Sequence, residues 1–492
     1  MPHFLLRSLW VSLIALCAAP ATAQEWWEAE TDNFVVKSQG SREEVREFAL
    51  DLERFDATLR IFQGLPVGNR YAGRTQKLTV YRFGDHATIA ALAGRERTAA
   101  FYVARAGASA AFLLADDSME ADTAFRHEYA HYFMTQNFPA HYPLWYAEGF
   151  ASVMATARSN FDNSVHVGEL EPLPKAASDL PLELFWSDSP SLAPGNYRAA
   201  ALLTHYLMFD QPRLTRLKSY LVALGEGFPA DEAARRNLGE PEALRAELLE
   251  HAGRAHQGMD IDLTGYPLPQ AHIRRLDTTE TGLLVDEIAL RRGSTGDAAD
   301  AVHARLSAPD APEPDHPLRL ELLGHTALAR SQPQEAEGYG ARLATAEPDR
   351  SAGFLLLSLS ALAQVRDNPE MALHAGNLAW LAANRDRTDP RPLILYYRIA
   401  LSSSELPDER AKVALEAAYD MASSDPAYRL LLTRHLLSLG RIEAARAALG
   451  PIMFGGHLSE TSTFAPIVAL VDTGDAEPAI AAIDALLAQD RH

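Results

Sequence analysis

The run His127-Glu128-Tyr129-Ala130-His131 sets two imidazoles four residues apart, with a carboxylate next to the first. On a helix, residues four apart lie about 40° apart around the axis and about 6 Å apart along it, so both rings can reach one ion. Glu128 then stands on the side of that ion where a bound water would sit, placed to take its proton. Zinc used for chemistry wants a third protein ligand and one open position. Further on, Leu144-Trp145-Tyr146-Ala147-Glu148-Gly149-Phe150-Ala151 holds a single acid among apolar and small residues. A buried carboxylate without a partner is costly, so Glu148 is the expected third ligand. The predicted site is one Zn2+ per chain held by His127, His131 and Glu148, with Glu128 as the base.

Two helices must present these side chains. Asp122 or Thr123 is expected to cap the first, Ala124 to Thr135 contains neither Gly nor Pro, and Phe125, Ala130, Phe133 and Met134 supply its packing face. Pro143 is placed to start the second, where Gly149 and Ala151 allow close packing. The chain can turn through Asn137 to Tyr142 and return antiparallel, which sets Glu148 opposite the two histidines. Upstream, Asn33 to Lys37 reads as a strand, Arg42 to Phe62 as a long amphipathic helix and Lys77 to Arg82 as a second strand. Ala99 to Val103 and Ala110 to Leu114 are further β-rich runs, and Trp26-Trp27 reads as an apolar anchor for the first strand. From Thr123 onward the pattern is helical apart from Val165 to Glu169.

Taken together, the two motifs resemble the gluzincin metallopeptidases, whose second helix carries a similar acid-Gly-Phe-Ala signature. The sixteen residues between His131 and Glu148 are a little fewer than in the aminopeptidase branch of that group. Over roughly residues 27 to 210 the chain is most similar to the bacterial peptidase MA-like family. The resemblance implies a zinc peptidase whose cleft lies between a small sheet-containing lobe and a helical lobe. It implies a peptide or protein substrate lying along an edge strand, for which Ala99 to Val103 and Ala110 to Leu114 are the two candidates. Zinc enzymes of this kind add a Tyr or His donor for the oxyanion, and related gluzincins place it on a helix after the third ligand. Tyr197 is the first candidate for that role and His205 the second. Ser152, one turn after Glu148, stands where some gluzincins carry an acid, which leaves the group orienting the ligand histidines unidentified.

The bulk of the chain sets limits around this site. At 492 residues it exceeds what one core organises, so two or three domains are expected. Arg7, the apolar run Leu9 to Ala19 and the small residues Ala21-Thr22-Ala23 read as a signal peptide over residues 1–23 cleaved before Gln24, which predicts an exported, periplasmic or secreted protein. Cys17 is the sole cysteine, so the mature chain is expected to be cysteine-free and to bind metal through nitrogen and oxygen. No other stretch is long and apolar enough to span a bilayer, and a formal net charge of -20 argues against nucleic acid or anionic membrane as partners.

The expected fold class is α+β. A gluzincin-like domain over residues 24–258, with a small mixed sheet and the active-site helices, precedes an all-α tetratricopeptide-like domain over 259–492. The division is placed where Gln257-Gly258 and Thr264-Gly265-Tyr266-Pro267-Leu268-Pro269 interrupt helical periodicity, with a second break at Ser307 to Pro317. Leu436 to Ala445 resembles the helix-turn-helix joint of a tetratricopeptide repeat, and Leu328 to Ala346 gives a weaker copy. Such a tail offers a surface for a protein partner. The rival function is therefore a catalytically weak or inactive zinc-binding protein, acting as a helical-repeat scaffold in the cell envelope. The other histidines, among them His86, His166, His325 and His435, show no ligand spacing with an acid. His251 and His256, five apart on one predicted helix, would point about 140° apart and are read as surface or core residues.

Overall fold

The computed structural model describes residues 25–68, 73–94, 98–115, 119–138, 142–172, 186, 196–293, 296–308, 311, 313–403, 407–453 and 463–489. The expected signal peptide, Cys17 and the cleavage point after Ala23 lie outside them, as does part of the turn between the two site helices. The chain is α+β: a mixed sheet at the start, then helices for most of the remaining length.

The sheet is built from β1 (Trp26–Glu30), β2 (Phe34–Gln39), β3 (Leu78–Phe83), β4 (Ala100–Val103) and β5 (Ala110–Leu114), joined by a late strand, His272–Arg275. Its order is β4-β5-β3-β2-β1 followed by the late strand. The pairs β2 with β3 and β3 with β5 are parallel. Parallel neighbours need a crossover, supplied by α1 (Arg42–Gln63) and α2 (His86–Ala93). Ser41 and Glu44 cap α1 reciprocally, and Gly64, at φ 71°, ends it. Side chains alternate along each strand. Val36, Val80, Ala111 and Leu113 therefore face α1 together with α3 (Met119–Asn137), while Trp26, Tyr81, Phe83 and Phe112 form a second apolar layer on the opposite face.

Helix α3 begins earlier than expected, so neither Asp122 nor Thr123 caps it. Met119 to Ala124 contains no Gly or Pro to stop the helix growing backward. It is followed by α4 (Leu144–Met154), a short sheet of β6 (Arg158–Ser159), β7 (Ser164–Val167) and β8 (Met259–Asp262), and, between β7 and β8, by α5 (Tyr197–Met208), α6 (Gln211–Gly225), α7 (Ala230–Asn237) and α8 (Pro241–Ala252). Strand β8 pairs with β7, and the late strand, β9 (His272–Arg275), pairs with β1. Strand pairing thus runs across the expected division at 258/259 and ends only at Arg275. Gly258 leads directly into β8 and the break around Pro267 joins β8 to β9, which helical periodicity alone cannot show.

From Thr278 the chain is helical: α9 (Thr278–Arg291), α10 (Asp297–Leu306), α11 (Pro317–Ala329), α12 (Pro333–Ala346), α13 (Ser351–Gln364), α14 (Met371–Arg385), α15 (Arg391–Ser403), α16 (Glu409–Met421), α17 (Pro426–Ser438), α18 (Ile442–Met453), α19 (Ala465–Thr473) and α20 (Ala476–Gln489). Most neighbours in sequence pack on each other, and α9, α11, α13 and α15 also pack in succession. Tight turns join α11 to α12 through Ser331 at φ 58° and α17 to α18 through Gly440 at φ 69°.

This helical array closes back on the sheet. Lys37 meets Glu287 at 2.6 Å in a buried pair, the Ala106 amide donates to Asp425 at 2.7 Å, and Gln76 donates to the Thr388 carbonyl at 2.8 Å. The end of α3 is held directly: Arg429 donates to the Thr135 carbonyl at 3.2 Å and Gln136 to the Met421 carbonyl at 2.8 Å. Between sheet and array lies a cavity of about 1290 Å³, lined from both sides by charged groups such as Lys37, Arg74, Arg291 and Arg391. The His127, His131 and Glu148 group is not part of its lining.

Candidate metal centre

Helix α3 divides its faces cleanly. Phe125, Tyr129, Ala130 and Phe133 are buried against α1 and the sheet, and the Tyr129 hydroxyl donates to Asp56 at 2.7 Å. His127, Glu128 and His131 fall on the remaining, half-buried face. Because the aromatic face fixes the rotation of α3, it also fixes where the imidazoles point.

The two Nε2 atoms stand 3.1 Å apart, and Glu148 Oε2 lies 3.2 Å from that of His127 and 3.4 Å from that of His131. Two ligands of a tetrahedral site with bonds near 2.0–2.1 Å stand about 3.3 Å apart, so this triangle has the dimensions of three corners of such a site. Glu148 is 1 % exposed, and its other oxygen, Oε1, has no hydrogen-bond partner among the described residues. Burial would raise this carboxyl, but hydrogen bonds and charge from His127 and His131 hold it well below the usual carboxylate range. Two imidazoles, one carboxylate and an orphaned carboxylate oxygen fit a divalent zinc-class ion. The His127 side chain is 24 % exposed, so the cluster is reached by solvent through that ligand.

Helix α4 delivers Glu148 through contact with α5. A Cβ built on Gly149 would meet Thr204 Oγ1 and would lie 2.5 Å from the Ala200 carbonyl oxygen, so only glycine permits this approach. Pro143 is the residue before the helix, its carbonyl accepting from Tyr146 and Ala147. The edge of the main sheet is settled: β4 is the outer strand and β5 lies inside, and β4 packs on α3. Tyr102 of β4 sits near enough to Glu128 that, after burial and Tyr132, the charge of Glu128 helps raise its hydroxyl.

The two expected oxyanion donors part company. Tyr197, half-buried at the start of α5, has its hydroxyl raised by burial and then by the charges of Glu148 and Glu128, so it lies within electrostatic range of both carboxylates. His205 does not belong there. It lies eight residues later, about 12 Å along the helix and about 80° around it, and it is grouped instead with His251 and His256.

Its Nδ1 is 3.2 Å from His251 Nε2, and its ring stacks on Phe209 with centroids 4.2 Å apart. The expectation that His251 and His256 diverge fails because α8 stops at Ala252 and the chain turns back, stacking the two rings with centroids 3.8 Å apart. No local pattern signals this group, since its members come from separate elements. No family model, no curated protein and no solved structure matches the chain.

Proposed function

We propose that the chain is a zinc-dependent peptidase of the gluzincin kind, most similar to the peptidase MA-like family, that is exported and carries a tetratricopeptide-like helical tail. The observation that carries the reading is the triangle of His127, His131 and Glu148 with Glu128 on the same helix face. His127, His131 and Glu148 would hold the ion, which when bound supplies Lewis acidity to a water and to the substrate carbonyl.

Glu128 takes a proton from the attacking water and passes it to the departing amine as the C–N bond breaks. The carbonyl oxygen gains negative charge during attack, and the Tyr197 hydroxyl donates a hydrogen bond to it. Strand β4 has a sheet neighbour on one side only among the described residues, so its free edge can hold an extended peptide by strand addition beside Glu128. Backbone bonding of this type selects an extended segment over any one side chain.

The test is cleavage of an unstructured protein by the zinc-loaded chain, with products read by mass spectrometry. The wild type should cleave, and Glu128→Gln should keep its metal and lose cleavage. Zinc-loaded wild type that leaves every unstructured substrate intact would favour the scaffold role instead.

A further inference from the structure

His205, His251 and His256 share no motif, yet three elements bring them to one point. His205 is on α5, two turns beyond Tyr197. His251 is the last residue but one of α8. His256 follows the turn at Gly253, and its backbone exchanges two hydrogen bonds with Leu170, at 3.0 and 3.2 Å. One nitrogen from each ring lies within 4.8 Å of the other two.

Several features of this group are unusual for packed histidines. His205 and His256 are 3 % and 7 % exposed, and Nε2 of each lacks a hydrogen-bond partner among the described residues. Buried polar nitrogens normally find one. The 3.2 Å between His205 Nδ1 and His251 Nε2 matches the spacing of about 3.3 Å between two ligands of a tetrahedral ion. Burial lowers all three imidazoles, helped by His256 at His205 and His251 and by Arg254 at His256, which disfavours the protonated form that could not bind an ion.

We propose that His205, His251 and His256 form a second metal site, which takes a borderline divalent transition ion of the zinc, nickel or copper class and is independent of the His127, His131 and Glu148 centre. The donor set excludes the hard cations, because Ca2+ and Mg2+ require oxygen ligands and this set has none. Arg254 is close by, and Arg213 lies over the Tyr206 ring at 4.0 Å, beside His251. An ion held chiefly by charge gains nothing there, whereas one bonding to imidazole lone pairs does. Glu247, one turn before His251, accepts from the Tyr206 hydroxyl and is not grouped with the three imidazoles. Closing the third donor, on His256, onto the ion takes at most about 1.5 Å, from 4.8 Å to about 3.3 Å. The ion would tie α5, the end of α8 and the strand-like bridge at Leu170 into one unit. Since α5 carries Tyr197 and packs on the Glu148 helix, the site positions the first centre without touching its substrate.

The experiment is metal stoichiometry on the full chain, equilibrated with Zn2+, dialysed and measured by mass spectrometry of the metal. Wild type should hold two ions per chain, and His127→Gln with His131→Gln should hold one. His251→Gln with His256→Gln should also hold one. X-ray absorption on the His127→Gln, His131→Gln protein should show a first shell dominated by imidazole nitrogen. If the His251→Gln, His256→Gln protein fails to fold, that spectrum decides alone: a bound imidazole shell supports the site, and absence of zinc overturns it. One ion in the wild type and none in the His127→Gln, His131→Gln protein would sink the second site while leaving the first intact. One ion that survives in that variant with an imidazole shell would do the reverse.

Discussion

The molecule holds two histidine groups whose chemistry differs although each could grip a similar ion. The first joins two imidazoles to the carboxylate of Glu148, keeps a partly exposed flank at His127, and has Glu128 on the same helix face, with Tyr102 of the outer strand β4 within reach of its charge. The second is all imidazole, packed under Phe209, and its donor set includes no acid. A site for water chemistry needs an open position and a base, and a site that fastens elements needs neither. What separates the two is therefore the company each ligand set keeps. The imidazoles themselves do not decide it.

That contrast breaks most directly at Glu128. Glu128→Gln should lower kcat by about 10²- to 10⁴-fold, the usual worth of a general base, while the bound-metal count stays as in the wild type. His251→Gln with the first centre still loaded should lose less, as expected of a displaced α5, and a loss as large as that of Glu128→Gln would mean the second group does more than position the first centre. Tyr197→Phe should come next, with kcat down about 10²- to 10³-fold and KM nearly unchanged, because the hydroxyl bonds the oxygen only as charge develops on it. A rise in KM with kcat preserved would place Tyr197 in substrate binding instead.

Metal removal sharpens the same comparison on stability. Zinc at a hundred times its dissociation constant stabilises the folded chain by about 2.7 kcal/mol per site. Urea unfolding of wild type should therefore respond to zinc about twice as strongly as unfolding of His251→Gln with His256→Gln. Equal responses would mean that the first centre accounts for all of the effect.

The sequence made one group legible and hid the other for a physical reason. His127 and His131 are four apart on one helix, so helical geometry alone pairs them, and Glu148 stands out as the lone acid of an apolar helix. Helix α1 and strands β2 and β3 were readable from periodicity to within two residues at each end. His205, His251 and His256 meet only because α8 ends at Ala252 and the following segment pairs with Leu170, and such long-range pairing leaves no trace at fixed spacing. The same limit explains β8 and β9. Their partners β7 and β1 lie far back in the chain, so the interruptions of helical periodicity at Gly258 and Pro267 read as a domain division. Which of β4 and β5 formed the edge likewise depended on strand order, a global property.

Gly149 links the two groups and gives the smallest expected effect. Glu148 precedes it on α4, while the atoms a Cβ would strike belong to Thr204, which precedes His205 on α5, and to the Ala200 backbone. Thr204 could turn away, but a backbone carbonyl at 2.5 Å cannot, so Gly149→Ala should push the two helices apart. Overpacking of this kind costs about 1–3 kcal/mol, read as a lower urea midpoint at unchanged slope. Because each helix carries one ligand of a different group, the displacement should weaken zinc at both, seen as two affinities falling together in a competitive chelator titration. Adding Thr204→Ala should restore little, since the Ala200 carbonyl remains in the way. If only the affinity at the Glu148 centre falls, α5 yields without moving His205, and the two groups are mechanically separate.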